Sequence, residues 1–137
     1  MFVSMNNLAL VHLLRGDVEA AHELLGEIVL EAPKLYAIYP EIYTRGLLLE
    51  VAAELGDLAL WDQSVHGLKP RFEAQPFYDN DFAESFQRAG RRISDLAPRR
   101  ARYALEMAAA QFRTLGRDED ADETELLLRL LPSDSTS

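Results

Sequence analysis

Carboxylates, histidines and arginines are the side chains here that could do chemistry, and their spacing decides which chemistry. Asp118, Asp120 and Asp122 alternate as the first ligands of a calcium loop do. The pattern then breaks, because Glu123 stands where such a loop turns on glycine and Arg129 where a bidentate glutamate closes the shell. His12, His22 and His66 fall at no metal-ligand spacing, and His12 is expected as a packed, hydrogen-bonded core residue. No glycine-rich phosphate loop, nucleophile elbow or Ser/His/Asp set can be assembled. The chain has no cysteine, which removes disulfides and thiolate metal sites. The many paired carboxylates lie on polar helix faces, where solvation accounts for them. The expectation is a protein that is not an enzyme and takes no metal or cofactor. A small acid–base enzyme using Glu and His between helices is the lesser alternative.

Charge narrows the partners. The formal net charge is -9, which opposes non-specific binding to nucleic acid or anionic lipid and favours a basic partner. Arg88, Arg91, Arg92, Arg99, Arg100 and Arg102 fall within 15 residues, and Asp118, Glu119, Asp120, Asp122, Glu123 and Glu125 within eight. Acids at the start of the last helix favour its dipole and would be screened by arginines of neighbouring helices. The other reading joins the basic edge of one protomer to the acidic end of another. No leader is legible at the N-terminus and no apolar run is long enough to span a membrane, so a cytoplasmic protein is expected.

These side chains must be positioned by helices. Leu8, Leu10, Val11, Leu13 and Leu14 recur at three- and four-residue spacings and end at Gly16-Asp17. Val18, Ala21, Leu24, Leu25, Ile28 and Val29 form the next stripe, with Glu19, Glu23, Glu27 and Glu31 opposite and Pro33 as the stop. A third helix opens near Pro40 and runs to Leu55, and a fourth carries Leu58, Leu60, Trp61, Val65 and Leu68 until Lys69-Pro70. Asp17 and Asp57 are expected N-caps. Asp79-Asn80-Asp81 starts a helix over about 81–95, weakened by Gly90, and Pro98 opens the most helix-prone stretch, to Leu115. The last helix spans 118–131, and 132–137 is a polar tail. The aromatic stretch Phe72, Phe77, Tyr78 and Phe82 is expected to fold back over the gap before the extra helix, and Tyr36, Tyr39 and Tyr43 form a second cluster. Nothing alternates with period two, so no sheet is expected.

Three times the chain reads helix, glycine turn, helix, proline: Gly16 to Pro33, Gly56 to Pro70, and Gly116 to Pro132. Residues 2–35 resemble one tetratricopeptide repeat, a helical hairpin, with Leu8, Ala9, Gly16, Ala21, Leu25, Ile28 and Pro33 at the signature places. The second copy, 40–70, keeps Leu48 and Gly56 but puts Trp61 where a small residue is usual. The third, 98–132, keeps Ala108, Ala109, Phe112, Gly116, Ala121 and Leu128, with Glu125 at an apolar place. The turns lie 40 and then 60 residues apart, and the added length holds the extra helix.

The resemblance implies an all-α, TPR-like α-solenoid of antiparallel helix pairs, about seven helices in one domain over 1–131. A generic helical bundle would give a similar pattern. The resemblance further implies a scaffold that binds a partner peptide or helix on its concave face, as a module of a bacterial regulatory protein. That face would carry Asn6, Leu10, Leu13, Tyr43, Leu47, Glu50, Glu54, Tyr103, Glu106 and Arg113. The subfamily that clamps the acidic tails of chaperones uses Lys and Asn there, whereas this chain has Leu10, Gly46, Glu50 and Glu106. A basic or amphipathic segment suits such a groove better. The alternative is a self-associating helical protein, a homo-oligomer joined through charged or apolar edges.

Overall fold

In the computed structural model, residues 2–31 and 38–132 are described, and they fold into helices joined by turns. Side chains are described for residues 5–31 and 41–132. The expected all-α architecture is what forms: α1 (Phe2–Leu14), α2 (Val18–Glu31), α3 (Ile38–Leu55), α4 (Leu58–Ala74), α5 (Asn80–Ile93), α6 (Pro98–Thr114) and α7 (Asp118–Arg129). The chain divides into two compact units, Met1–Phe77 with α1 to α4 and Tyr78–Ser137 with α5 to α7. The stop at Pro33, Tyr36 and the tail from Ser133 lie outside the described residues, as does the side chain of Tyr39.

The three glycine turns are one motif used three times. Gly16, Gly56 and Gly116 all have positive φ, between 65° and 84°, a conformation that any Cβ would strain. In the first, the Gly16 N–H donates to the Leu13 carbonyl and the Asp17 N–H to the His12 carbonyl. Gly56 with Asp57, and Gly116 with Arg117, repeat the pair of bonds on Ala53 and Ala52, and on Arg113 and Phe112. This is the Schellman closure, which satisfies the last carbonyls of one helix. The residue after each glycine then accepts the first bond of the next helix, from Ala21, Trp61 and Ala121 in turn. Stop and start share two residues, so consecutive helices are held as hairpins. Arg117 fills the cap position in the third turn, without a side-chain capping bond.

In the first unit α3 is the buried helix, packed by α1, α2 and α4. From Glu41 to Ala53 every residue but Arg45 is buried, so neighbours cover this helix on nearly every side, its polar Glu41, Thr44 and Glu50 included. Ala9 and Leu13 of α1, Ala21, Leu25 and Ile28 of α2, and Trp61 and Leu68 of α4 complete that core. The first hairpin therefore brings Ala9 and Ala21 inside, as the repeat pattern expects, whereas the second buries Leu49 and Trp61 at the same distances from its glycine. The helix α4 does not end at Lys69-Pro70 but continues through Pro70 to Ala74. The bond lost at Pro70 frees the carbonyl of His66, an exposed residue that water can reach, so the helix survives its proline.

The second unit is a three-helix array with α6 in contact with α5 and α7. The Asp79 carboxylate accepts the Phe82 N–H at 3.1 Å, and the Asp79 N–H donates to Oε1 of buried Gln111 at 3.1 Å, tying the start of α5 to α6. Phe82 and Phe86 pack edge-on, 4.7 Å between ring centres, so the end of the aromatic stretch lies in the core. Tyr78 is exposed, and Phe72 and Phe77 are half-buried. At Gly90 a Cβ would lie 2.6 Å from Leu105 Cγ, so the glycine that weakens α5 is what lets α6 approach it.

Candidate protein-binding surface

Of the residues expected on a concave face, half are part of the packing. Asn6, Leu13, Tyr43, Leu47 and Glu50 are buried, with Leu47 fully enclosed, so these side chains hold α1 and α3 in place. Asn6 is held by Thr44, whose hydroxyl donates to Asn6 Oδ1 at 2.7 Å between α1 and α3. Leu10 is half-buried, and Glu54, Glu106 and Arg113 are exposed. Tyr103 is half-buried with its ring 6.5 Å from Phe86, edge-on. The ten positions divide between the units, from Asn6 to Glu54 in the first and from Tyr103 to Arg113 in the second.

Apolar surface is instead exposed elsewhere. The outer side of the α1–α2 hairpin holds a groove of about 250 Å³ with Leu8, Ala20 and Leu24 as its apolar lining. His12 lies on its α1 side and Glu23 and Glu27 on its α2 side. Leu8 is 49 % exposed although it occupies a signature place of the repeat, and Val11 and Leu14 of the same helix are exposed too. The sequence carried a signal for this. Leu8 to Leu14 has six apolar residues among seven, more than one helix face can bury. His12 is half-buried, not a core residue, with Nδ1 3.7 Å from an Asp17 carboxylate oxygen.

The second unit has its own apolar surface. Leu105, Leu127, Leu130 and Leu131 line a hollow of about 210 Å³ edged by Arg91 and Asp95. Leu130, Leu126 and Leu96 are among the most exposed large apolar side chains, Leu130 at 70 %. Both hollows are smaller than the roughly 300–1,000 Å³ of small-molecule sites.

The acidic run of the second unit is met within the chain by Arg113 and Arg117, and by Arg91 of the basic run. Arg113 Nη2 donates to Asp122 at 2.6 Å and Glu125 at 3.2 Å, and Nη1 to Asp118 at 3.2 Å. Hydrogen bonds to Asp122, Glu125 and Asp118 push its pKa further up, and because arginine is already charged at any working pH this creates no switch. Glu125 thus has a polar partner at the place where the repeat usually has an apolar one. Arg117 bonds Asp120 at 2.8 Å, Glu84 at 3.2 Å and Asn80 at 3.1 Å, and its guanidinium lies 4.7 Å from the Phe112 ring centre. Partial burial pulls the Arg117 pKa down, and the bonds to Asp120 and Glu84 outweigh it. Arg91 pairs with Glu123. Asp118, Asp120 and Asp122 therefore turn to two different arginines rather than converge on an ion. Among the described residues no group of three His, Cys, Asp or Glu is placed to hold a metal.

One buried carboxylate falls outside every expected site. Glu41 is 3 % exposed, and its two oxygens accept from Arg45 Nη2 at 3.1 Å and Arg71 Nε at 2.9 Å. The bond from Arg71 to Glu41 fastens α4 to α3, and Arg71 also donates to the Gly67 carbonyl of its own helix at 2.8 Å. Both described ion-pair partners of Glu41 are guanidinium groups of the same fold, so the cluster acts as a clamp.

Among the described residues no helix is long and apolar enough to cross a membrane. Comparison with protein-family models, with curated proteins and with solved structures finds no significant match.

Proposed function

We propose that this chain is a protein–protein interaction module, a tetratricopeptide-like set of helix hairpins that takes a segment of a partner protein. The observation that carries this reading is the α1–α2 groove, where exposed Leu8 and half-buried Leu24 lie beside carboxylates. Exposed apolar residues rimmed by polar ones mark interaction surfaces more often than catalytic ones. The repeated Schellman turns support the likeness to a repeat, because each fixes a hairpin whose outer faces are left to neighbours or partners. Use as a piece of a bacterial regulatory protein in the cytoplasm follows from the same likeness.

Selection of a displayed random-peptide library on the whole chain tests the proposal. Enrichment of peptides sharing an apolar pattern is expected, with loss of their binding to a Leu8→Glu variant or to the α7 leucine variant Leu130→Lys. Failure to enrich any peptide above an unrelated helical protein would overturn it. A second reading, self-association, is favoured by the leucines of α7, which would be covered by a second copy.

A further inference from the structure

We infer that the α1–α2 groove takes a basic amphipathic helix, an assignment that rests on the interaction-module reading and names its occupant. Glu23 and Glu27 stand one turn apart on α2 and both line the groove, so their carboxylates form a short row beside the apolar lining. Glu19 and Glu31, both exposed, continue that row toward the two ends of the helix. Among the described residues neither Glu23 nor Glu27 has an ion-pair partner, in contrast to the acids of α7, which are gathered by Arg113 and Arg117. The apolar lining is Leu8, Ala20 and Leu24, in a hollow of about 250 Å³, below the usual range of small-molecule sites.

The occupant's secondary structure follows from its backbone. An extended segment on this lining would leave its N–H and C=O groups to water alone, since the described elements offer no strand edge. A helix satisfies its own backbone and presents apolar side chains at three- and four-residue spacings, the period at which Leu8, Ala20 and Leu24 can receive them. Lysine or arginine flanking that stripe reaches Glu23 and Glu27. The net charge of -9 adds attraction at longer range.

The probe is a synthetic peptide of about 18 residues, long enough to hold a helix, with a leucine stripe flanked by lysines. Fluorescence anisotropy reads its binding to the whole chain. The expected result is saturable binding that weakens at least tenfold, about 1.4 kcal/mol, against E23K/E27K, and severalfold as salt rises from about 0.05 to 0.5 M. Because any cation is drawn to an acidic protein, two controls fix the site. E73K/E119K makes the same change in net charge on exposed glutamates outside the groove and should leave binding within about twofold of the wild type after screening. A scrambled peptide of the same composition, with its stripe broken, should bind at least tenfold more weakly. Absence of binding, equal binding to E23K/E27K, greater loss with E73K/E119K, or equal binding of the scrambled peptide would each overturn the assignment. If library selection instead enriches neutral or acidic peptides, the module survives and the basic helix does not.

Discussion

A methyl group at position 67 would overlap the Arg45 guanidinium, which lies flat against the α4 backbone at that glycine. The overlap is with the far end of a flexible side chain, so the cost is not a rigid clash. It is the displacement of Arg45 from Glu41, a buried carboxylate that would keep Arg71 alone. Hydrogen bonds between charged groups contribute roughly 1.5–3 kcal/mol, whereas alanine is favoured over glycine inside a helix by about 1 kcal/mol. Gly67→Ala should therefore destabilise the wild type by about 1 kcal/mol. In an Arg45→Ala background the same substitution should stabilise. Urea denaturation of the four proteins checks this reversal of sign, and a destabilisation of equal size in both backgrounds would disprove the role given to Gly67. Glu41, Arg45 and Arg71 could not have been grouped from sequence. Thirty residues separate Glu41 from Arg71, and the period that placed the apolar residues says nothing of which polar ones meet across two helices.

At the scale of elements, the turns were the most legible feature, because a positive φ demands glycine and the closure that follows demands little else. Gly16, Gly56 and Gly116 each mark a helix end within two residues, and Asp57 caps α4 through its side chain onto Leu60. Boundaries were less legible where solvent relieves a local conflict, as at Pro70, or where a proline fits the first helical turn, as at Pro40. Gly90 was readable only as a weakness, since the approach of Leu105 is a tertiary fact. The same logic separates two glycines by their elements. Gly116 has φ +76 with open space at its Cβ position, so alanine there meets strain and no collision. Gly26 lies inside α2, also with open space. Gly116→Ala should lower stability by about 1 kcal/mol and Gly26→Ala should raise it by about the same amount. Thermal unfolding of the two variants, compared at the wild-type midpoint, checks the pair. A neutral Gly116→Ala would remove the strained turn from the account of α6 and α7.

For the whole molecule, the exposed charges and the exposed leucines make opposite demands on association. Arg91, Arg113 and Arg117 gather the acids of α7 within one chain, and exposed pairs of this kind are screened by salt and add little to stability. They leave a net charge of -9, which repels a second copy most strongly at low ionic strength. Leu126 and Leu130 of α7 oppose that repulsion, because covering apolar area contributes about 25 cal/mol per Å² whatever the salt. If those leucines meet in a second copy, association must therefore strengthen with salt, the reverse of what an arginine-to-carboxylate joint would do. Light scattering over a series of salt and protein concentrations reads the sign directly. A mass that grows toward the dimer as salt rises, and that Leu130→Lys returns to the monomer, is the expected outcome for the apolar joint. A dimer that dissociates in salt would place the contact on the charged residues instead, and a monomer throughout would leave the α7 face without a second copy and the groove of α1 and α2 as the surface to pursue.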